Sequence, residues 1–324
     1  MSVRSKKQIK KAPAKKNVKF SKDGSRLRKL TKRQDKANTK NQKKLNTIPP
    51  ARNIFEQSLR QLWDNKKLFI GILLTYGFFY ILLVKGISAN FQLGNLKQEL
   101  NDSLGGKQGA FSTGVALYGL LLGSAGSSST DQASVYQMIL LVIFGLALIR
   151  GLRITYNKKA SVRVRDVIYK STNALVPFII VLFFMLLQIL PALVVSSLYS
   201  VSRTSAVLAG PVQNFLAFIV LMIGLFWSMY MLSSSLFALY IVTLGDTPPR
   251  AALKAAKELV KFRRYTIIRR IMFLPLVLLL MSALVLIPLI IIYAPAAEVV
   301  FMAFTILVLG IVHSYLYTLY RSIL

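Results

Sequence analysis

One histidine, eleven carboxylates and no cysteine are all that this 324-residue chain offers for acid–base, metal or thiol chemistry. Hydrolysis through a metal or a proton relay needs carboxylates and imidazoles gathered at one place. Here Asp23 and Asp35 lie in a basic N-terminal tail, and the other nine acids are scattered mostly across loops. No glycine-rich phosphate loop, metal-ligand spacing or nucleophile motif occurs, and the lack of Cys removes disulfides and thiolate metal sites. The expectation is a non-enzymatic protein with no cofactor. His313, in "VLGIVHSYLYTLY", is the ionisable group set deepest in a hydrocarbon stretch. Such a group is a functional candidate by default. A neutral imidazole also hydrogen-bonds across a helix interface, and without an acid on the other spans to relay with, a structural role is expected for His313. Gln188 and Asn214 read the same way, as hydrogen-bonding links between helices.

The second pattern with chemical content is cationic. The segment "TLGDTPPRAALKAAKELVKFRRYTIIRRI" (Thr243–Ile271) lies between two hydrocarbon stretches. On a wheel of about 100° per residue, Lys254, Lys257, Lys261 and Arg264 fall within roughly 40° of Arg250. Ala252, Leu253, Ala256, Leu259 and Val260 take the other side. Thr247 suits the N-cap, and Pro248 suits the first helical position, where its missing N–H costs nothing. One basic and one apolar stripe suit a helix on an anionic leaflet, so Arg250, Lys254, Lys257, Lys261 and Arg264 are the candidate lipid-headgroup contacts.

The elements around this stripe are membrane spans. The chain is 54% hydrophobic and 16% charged, against about a quarter charged in a soluble domain. Six blocks approach the roughly 20 residues a crossing needs: 67–85, 134–155, 174–198, 212–244, 272–293 and 298–320. The fourth exceeds one perpendicular crossing and should tilt, kink, or run out of the bilayer near Ser233–Ser235. A shorter block, Ala110–Gly126, reads as interfacial or re-entrant. Charge sets the parity. Loop 150–173 holds Arg150, Arg153, Lys158, Lys159, Arg163, Arg165 and Lys170, and loop 245–271 holds eight more cations. The alternate loops carry three, one and none. Six spans put both basic loops beside the basic tail, which the positive-inside rule assigns to the cytoplasm, with both termini inside.

Residues 1–50 carry 18 Lys/Arg and few apolar side chains, which predicts a disordered basic tail ahead of a six-span domain over 51–324. The tail could bind anionic lipid, RNA or the ribosome, since it suits phosphate electrostatics and has Phe20 as its only aromatic. The pattern predicts an amphipathic helix before spans one, three and five. "ARNIFEQSLRQLWDNKK" aligns Phe55, Leu59, Leu62 and Trp63; "SVRVRDVIYKSTNALVP" aligns Val164, Val167, Ile168 and Ser171; the basic helix is the third. The fold expected is all-α: six transmembrane helices in three hairpins, each preceded by a cytoplasmic amphipathic helix. Pro177, Pro191, Pro275 and Pro288 sit in or near spans three and five, where kinks are tolerated if neighbours satisfy the freed carbonyls.

"LGDTPPRAALKAAKELVKFRR" after a long span, with "FEQSLRQLWDNKKLFIGILL" at the start, resembles a group of bacterial six-span proteins. These include the membrane domain ahead of some glycerophosphodiester phosphodiesterases and its stand-alone relatives. Asp246, Ala252, Leu253, Ala256, Leu259 and Ile267 or Ile268 fill the group's recurring positions, while Ala256 replaces its usual Ser and Phe262 its usual Gly. The resemblance covers 51–324 and implies a membrane module in a bacterial inner membrane without a catalytic partner. The function expected is a membrane-organising or accessory role with membrane lipids as partners. The alternatives are a small-molecule or lipid transporter component, and a membrane tether for RNA or ribosomes through the tail. The sequence names no protein partner.

Overall fold

Stretches of apolar residues too long for a soluble helix set the architecture. The computed structural model describes residues 48–85, 110–124, 131–157, 162–204, 210–244 and 247–324, and the tail expected over 1–50 falls almost wholly outside them. The described elements are helical: α1 (Ala51–Asp64), α2 (Lys66–Phe79) ending in a π-helical turn (Tyr80–Lys85), α3 (Ala110–Ser124), α4 (Asp131–Tyr156), α5 (Val164–Ser171), α6 (Leu175–Thr204), α7 (Pro211–Val242), α8 (Pro249–Val260) and α9 (Arg264–Ile323). A 3-10 turn, Thr172–Ala174, joins α5 to α6. Five helical runs are long and apolar enough to cross a membrane: 66–84, 131–156, 164–202, 212–242 and 264–323. The first four coincide with the first four blocks of the sequence.

The last run holds the fifth and sixth blocks together. Its 60 residues are interrupted at Tyr293, whose φ of −148° and ψ of 87° are not helical. The cause is local. Pro295 lies two residues on: it has no N–H for the carbonyl of Ile291 and its ring clashes there, so the turn containing Tyr293 opens. The chain then doubles back: Tyr315 Oη donates to Arg270 O at 2.8 Å across 45 residues, a separation of about 67 Å along an unbroken helix.

The core of Pro49–Leu324, which forms one compact unit, is centred on α4. Leu140, Phe144 and a continuous run from Gly145 to Ile149 are buried on that helix. It packs between α2 and the second half of α9. A Cβ on Gly145 would lie 3.1 Å from His313 Nε2, so the imidazole occupies the space a side chain there would take. Helix α3 packs on α9 across the break. Leu117, Tyr118 and Leu121 form one cluster with Leu286, Ile290, Ala294 and Ala297. Tyr118 Oη lies 3.1 Å from Leu279 O and 2.6 Å from Ser282 Oγ. At 15 residues α3 is short of a crossing.

Helices α6 and α7 form a close hairpin. Pro191 removes one N–H from the α6 backbone ladder, and the next residue's Ala192 N donates to Ser228 Oγ of α7 at 3.1 Å. A Cβ on Gly224 would come within 3.0 Å of Val195, so a small residue sets the approach. An interhelical link forms at Ser228; Asn214 Nδ2 donates to Gly210 O at its own helix start, and Gln188 Oε1 is buried without a hydrogen-bond partner among the described residues. Helix α7 runs unbroken through Ser233–Ser235 to Val242, with Ser233 and Ser234 bonding back to Tyr230 O and Met231 O.

Candidate functional site

The cationic stripe is carried on a helix whose other face is made of small residues. Ala252, Ala256 and Val260 are fully buried, mainly against α7, with Leu253 and Leu259 half-buried. Helix α8 runs antiparallel to the last three turns of α7. At one end Thr247 Oγ1 donates to Ile241 O at 3.1 Å; at the other the Arg264 guanidinium stacks 4.4 Å over the Tyr230 ring. Arg250, Lys254, Lys257 and Lys261 are exposed.

Two expectations change here. Thr247 is not the N-cap. Helix α8 begins at Pro249 with Pro248 at the cap position, and the Thr247 hydroxyl serves the end of the preceding helix. Two successive prolines fix the chain as extended and move the start by one residue. Nor do the five cations form one stripe on one helix. Helix α8 ends at Val260, the turn over 261–263 redirects the chain, and Arg264 is the first residue of α9, half-buried on an aromatic ring. Helical periodicity was extended over a turn that has no Gly or Pro to announce it.

Carbonyls at the end of α7 are satisfied by a residue that loop counting treated only as charge. Arg153 of α4 donates to Thr243 O through Nη1, and through Nη2 to Tyr240 O at 2.9 Å and Thr243 Oγ1 at 2.7 Å. A cation at a helix C-terminus also opposes the helix dipole. Around this joint lies an aromatic cluster that the sequence reading missed. Tyr240 and Phe237 of α7 stack on Tyr320, Tyr317 meets Tyr240 and Tyr156, and Tyr156 Oη is 2.7 Å from Thr318 Oγ1. Arg321 lies over the Tyr156 ring at 4.9 Å. The signal was present in "HSYLYTLYR", three tyrosines within six residues at the end of a span, where aromatic residues mark an interface.

The other two amphipathic helices also bury one edge against protein. Helix α1 sets Ile54 and Ser58 on α9, where Ser314 Oγ donates to Ser58 O at 2.9 Å. Leu59 and Trp63, expected on its apolar face, point outward. Helix α5 buries Val167 and Ser171, and Val164 fills the space beside Gly71 of α2. Placing Trp63, Tyr169 and Tyr265 in register reveals a common pattern. Seven residues on, Ile70, Val176 and Met272 are exposed; nine residues on, Ile72, Phe178 and Leu274 are buried. The same register thus recurs at three places along the chain.

His313 donates from Nδ1 to Leu309 O of its own helix at 2.9 Å, because a carbonyl can only accept. Its contact with Gly145 is packing. Among the described residues no group of three or more His, Asp or Glu side chains comes together. No family model, curated protein or solved structure matches this chain.

Proposed function

We propose that the protein is a six-span membrane protein of bacterial inner-membrane type, with a non-catalytic, membrane-organising role exercised through its basic end on an anionic leaflet. Span count rests on the α9 hairpin: 60 residues make about 90 Å of helix, three hydrocarbon thicknesses, and the contact between Tyr315 and Arg270 brings the two halves side by side. Six crossings place both termini on the side of α1, α5 and α8, in the cytoplasm by the positive-inside rule.

The observation that carries the lipid role is the division of α8. Its small face is used up by α7, so the exposed cations have no structural task inside the protein. Helix α7 is about 48 Å long, and its last three turns with α8 extend past the hydrocarbon. Lys261 then sits at the foot of this projection, and Arg250 stands about 16 Å higher. With a Debye length of about 8 Å at physiological salt, the foot senses the leaflet and the top does not. Ala252, which fits the pattern of the phosphodiesterase-associated membrane modules the chain resembles, and Ala256, which stands where that pattern has Ser, both seat α8 on α7.

Two measurements test the reading. Because the chain has no Cys, a nitroxide can be placed singly at Lys261 or Arg250 in the full chain, reconstituted in phosphatidylcholine with or without phosphatidylglycerol. The label at 261 should become less mobile with the anionic lipid and the label at 250 should not; indifference at both would reject the lipid role. Reporters fused at Leu324 and inserted after Lys159 should report the same side. Opposite sides would break the six-span count.

A further inference from the structure

We propose that Trp63, Tyr169 and Tyr265 are three headgroup-level anchors that together fix the plane of the bilayer at the basic end; this rests on the reading that the basic end faces a leaflet. Each aromatic is largely exposed, at 73%, 78% and 81% respectively. Each stands where an amphipathic helix gives way to a long apolar one. Two of them have a cation one helical turn away on the same helix, Arg165 for Tyr169 on α5 and Arg269 for Tyr265 on α9. Lys66 lies over the Trp63 ring at 5.4 Å.

The occupant follows from what continues each line. Seven residues beyond the aromatics, exposed apolar side chains begin and recur at helical spacing, as at Ile70, Val176 and Met272. Along the long apolar helices that surface is covered by lipid chains. Seven residues span at most about 10 Å along a helix, so with Ile70, Val176 and Met272 a few Å inside the hydrocarbon the aromatics fall at the headgroup layer, which adds about 5–7 Å on each side. An amphipathic ring flanked by cations is the side chain that layer favours. Three points define a plane. The amphipathic helices bury their inner edges on the bundle and use an outer aromatic to meet the lipid, so the apolar stripes themselves are not the membrane-binding surface.

Tryptophan depth tests the proposal in the full chain. Trp63 and Trp227 are the only tryptophans, so Trp227→Phe leaves Trp63 as sole reporter. On a background lacking both, Tyr169→Trp or Tyr265→Trp reports the other two positions, and Leu276→Trp gives a deep reference; all are exposed sites that tolerate an added ring. In vesicles of phosphatidylcholine and phosphatidylglycerol, lipids carrying a nitroxide near the headgroup or near the chain end serve as quenchers. The three anchor positions should give one common shallow depth, with a shallow-to-deep quenching ratio above unity, and Leu276→Trp the reverse. A position with no lipid quenching belongs to a protein contact and overturns the proposal, as does one quenched best by the deep lipid. Failure of the anionic-lipid reading looks different: the shallow depths persist while the Lys261 label ignores phosphatidylglycerol. Conversely, a Lys261 label that responds while the aromatics escape quenching defeats the anchors alone.

Discussion

Helices α4 and α7 have nearly the same mean hydropathy, 2.1 and 2.3, yet protein buries 56% of the apolar window of α4 and only 6% of that of α7. Hydropathy therefore reports which solvent a helix tolerates, and says nothing about which neighbours it has. Burial follows shape and polar joints. Gly145 admits the His313 ring, and Gly151 lets Phe69 and Ile72 approach. At the basic end Arg153 ties α4 to the terminus of α7. Away from that end α7 leans chiefly on α6, through Gly224 and Ser228. One end of the molecule is a joint; the rest of the α6–α7 hairpin projects into lipid.

The largest effect expected is in the core of α4. Leu148→Ala empties a fully buried site and should lower stability by about 3 kcal/mol in denaturant titration from mixed micelles. Phe226→Ala, on the exposed side of α7, should change it by less than about 0.5 kcal/mol, because lipid or detergent fills the gap. Equal losses would break the comparison. Arg153→Leu leaves the carbonyls of Tyr240 and Thr243 without their cation, for a cost of about 2 kcal/mol after allowing for partial solvent access. It should also raise hydrogen exchange at Tyr240–Leu244. The last effect has the opposite sign. Gln188→Leu removes a buried amide oxygen that accepts nothing, and should stabilise the protein by about 1 kcal/mol. A loss there would show that the amide has a partner in the bilayer.

Long apolar blocks made the helical class and the first four long helices readable, because length and hydropathy are one-dimensional properties. The small-residue face of α8 was readable for the same reason: Ala252, Ala256 and Val260 keep helical spacing and are the residues buried. What could not be read was how ends meet. Arg153 counted as one of seven loop cations, and nothing in its neighbourhood indicates that its guanidinium reaches a helix terminus 87 residues later. Thr247 has the identity of an N-cap, yet its hydroxyl turns back to α7. The split edges of α1 were hidden because a wheel shows one apolar arc and cannot say that Ile54 meets protein while Trp63 faces outward.

The contact between Tyr118 and Ser282 joins residues 164 positions apart. At roughly 5–20 residues per second, a ribosome needs about 10–30 s to make the chain between them. Throughout that interval α3 exists without the surface that later buries Leu117 and Leu121. Its assembly is therefore post-insertional: the fifteen residues wait at the membrane until the segment on both sides of Tyr293 arrives, and docking across that break is among the last events in making the protein.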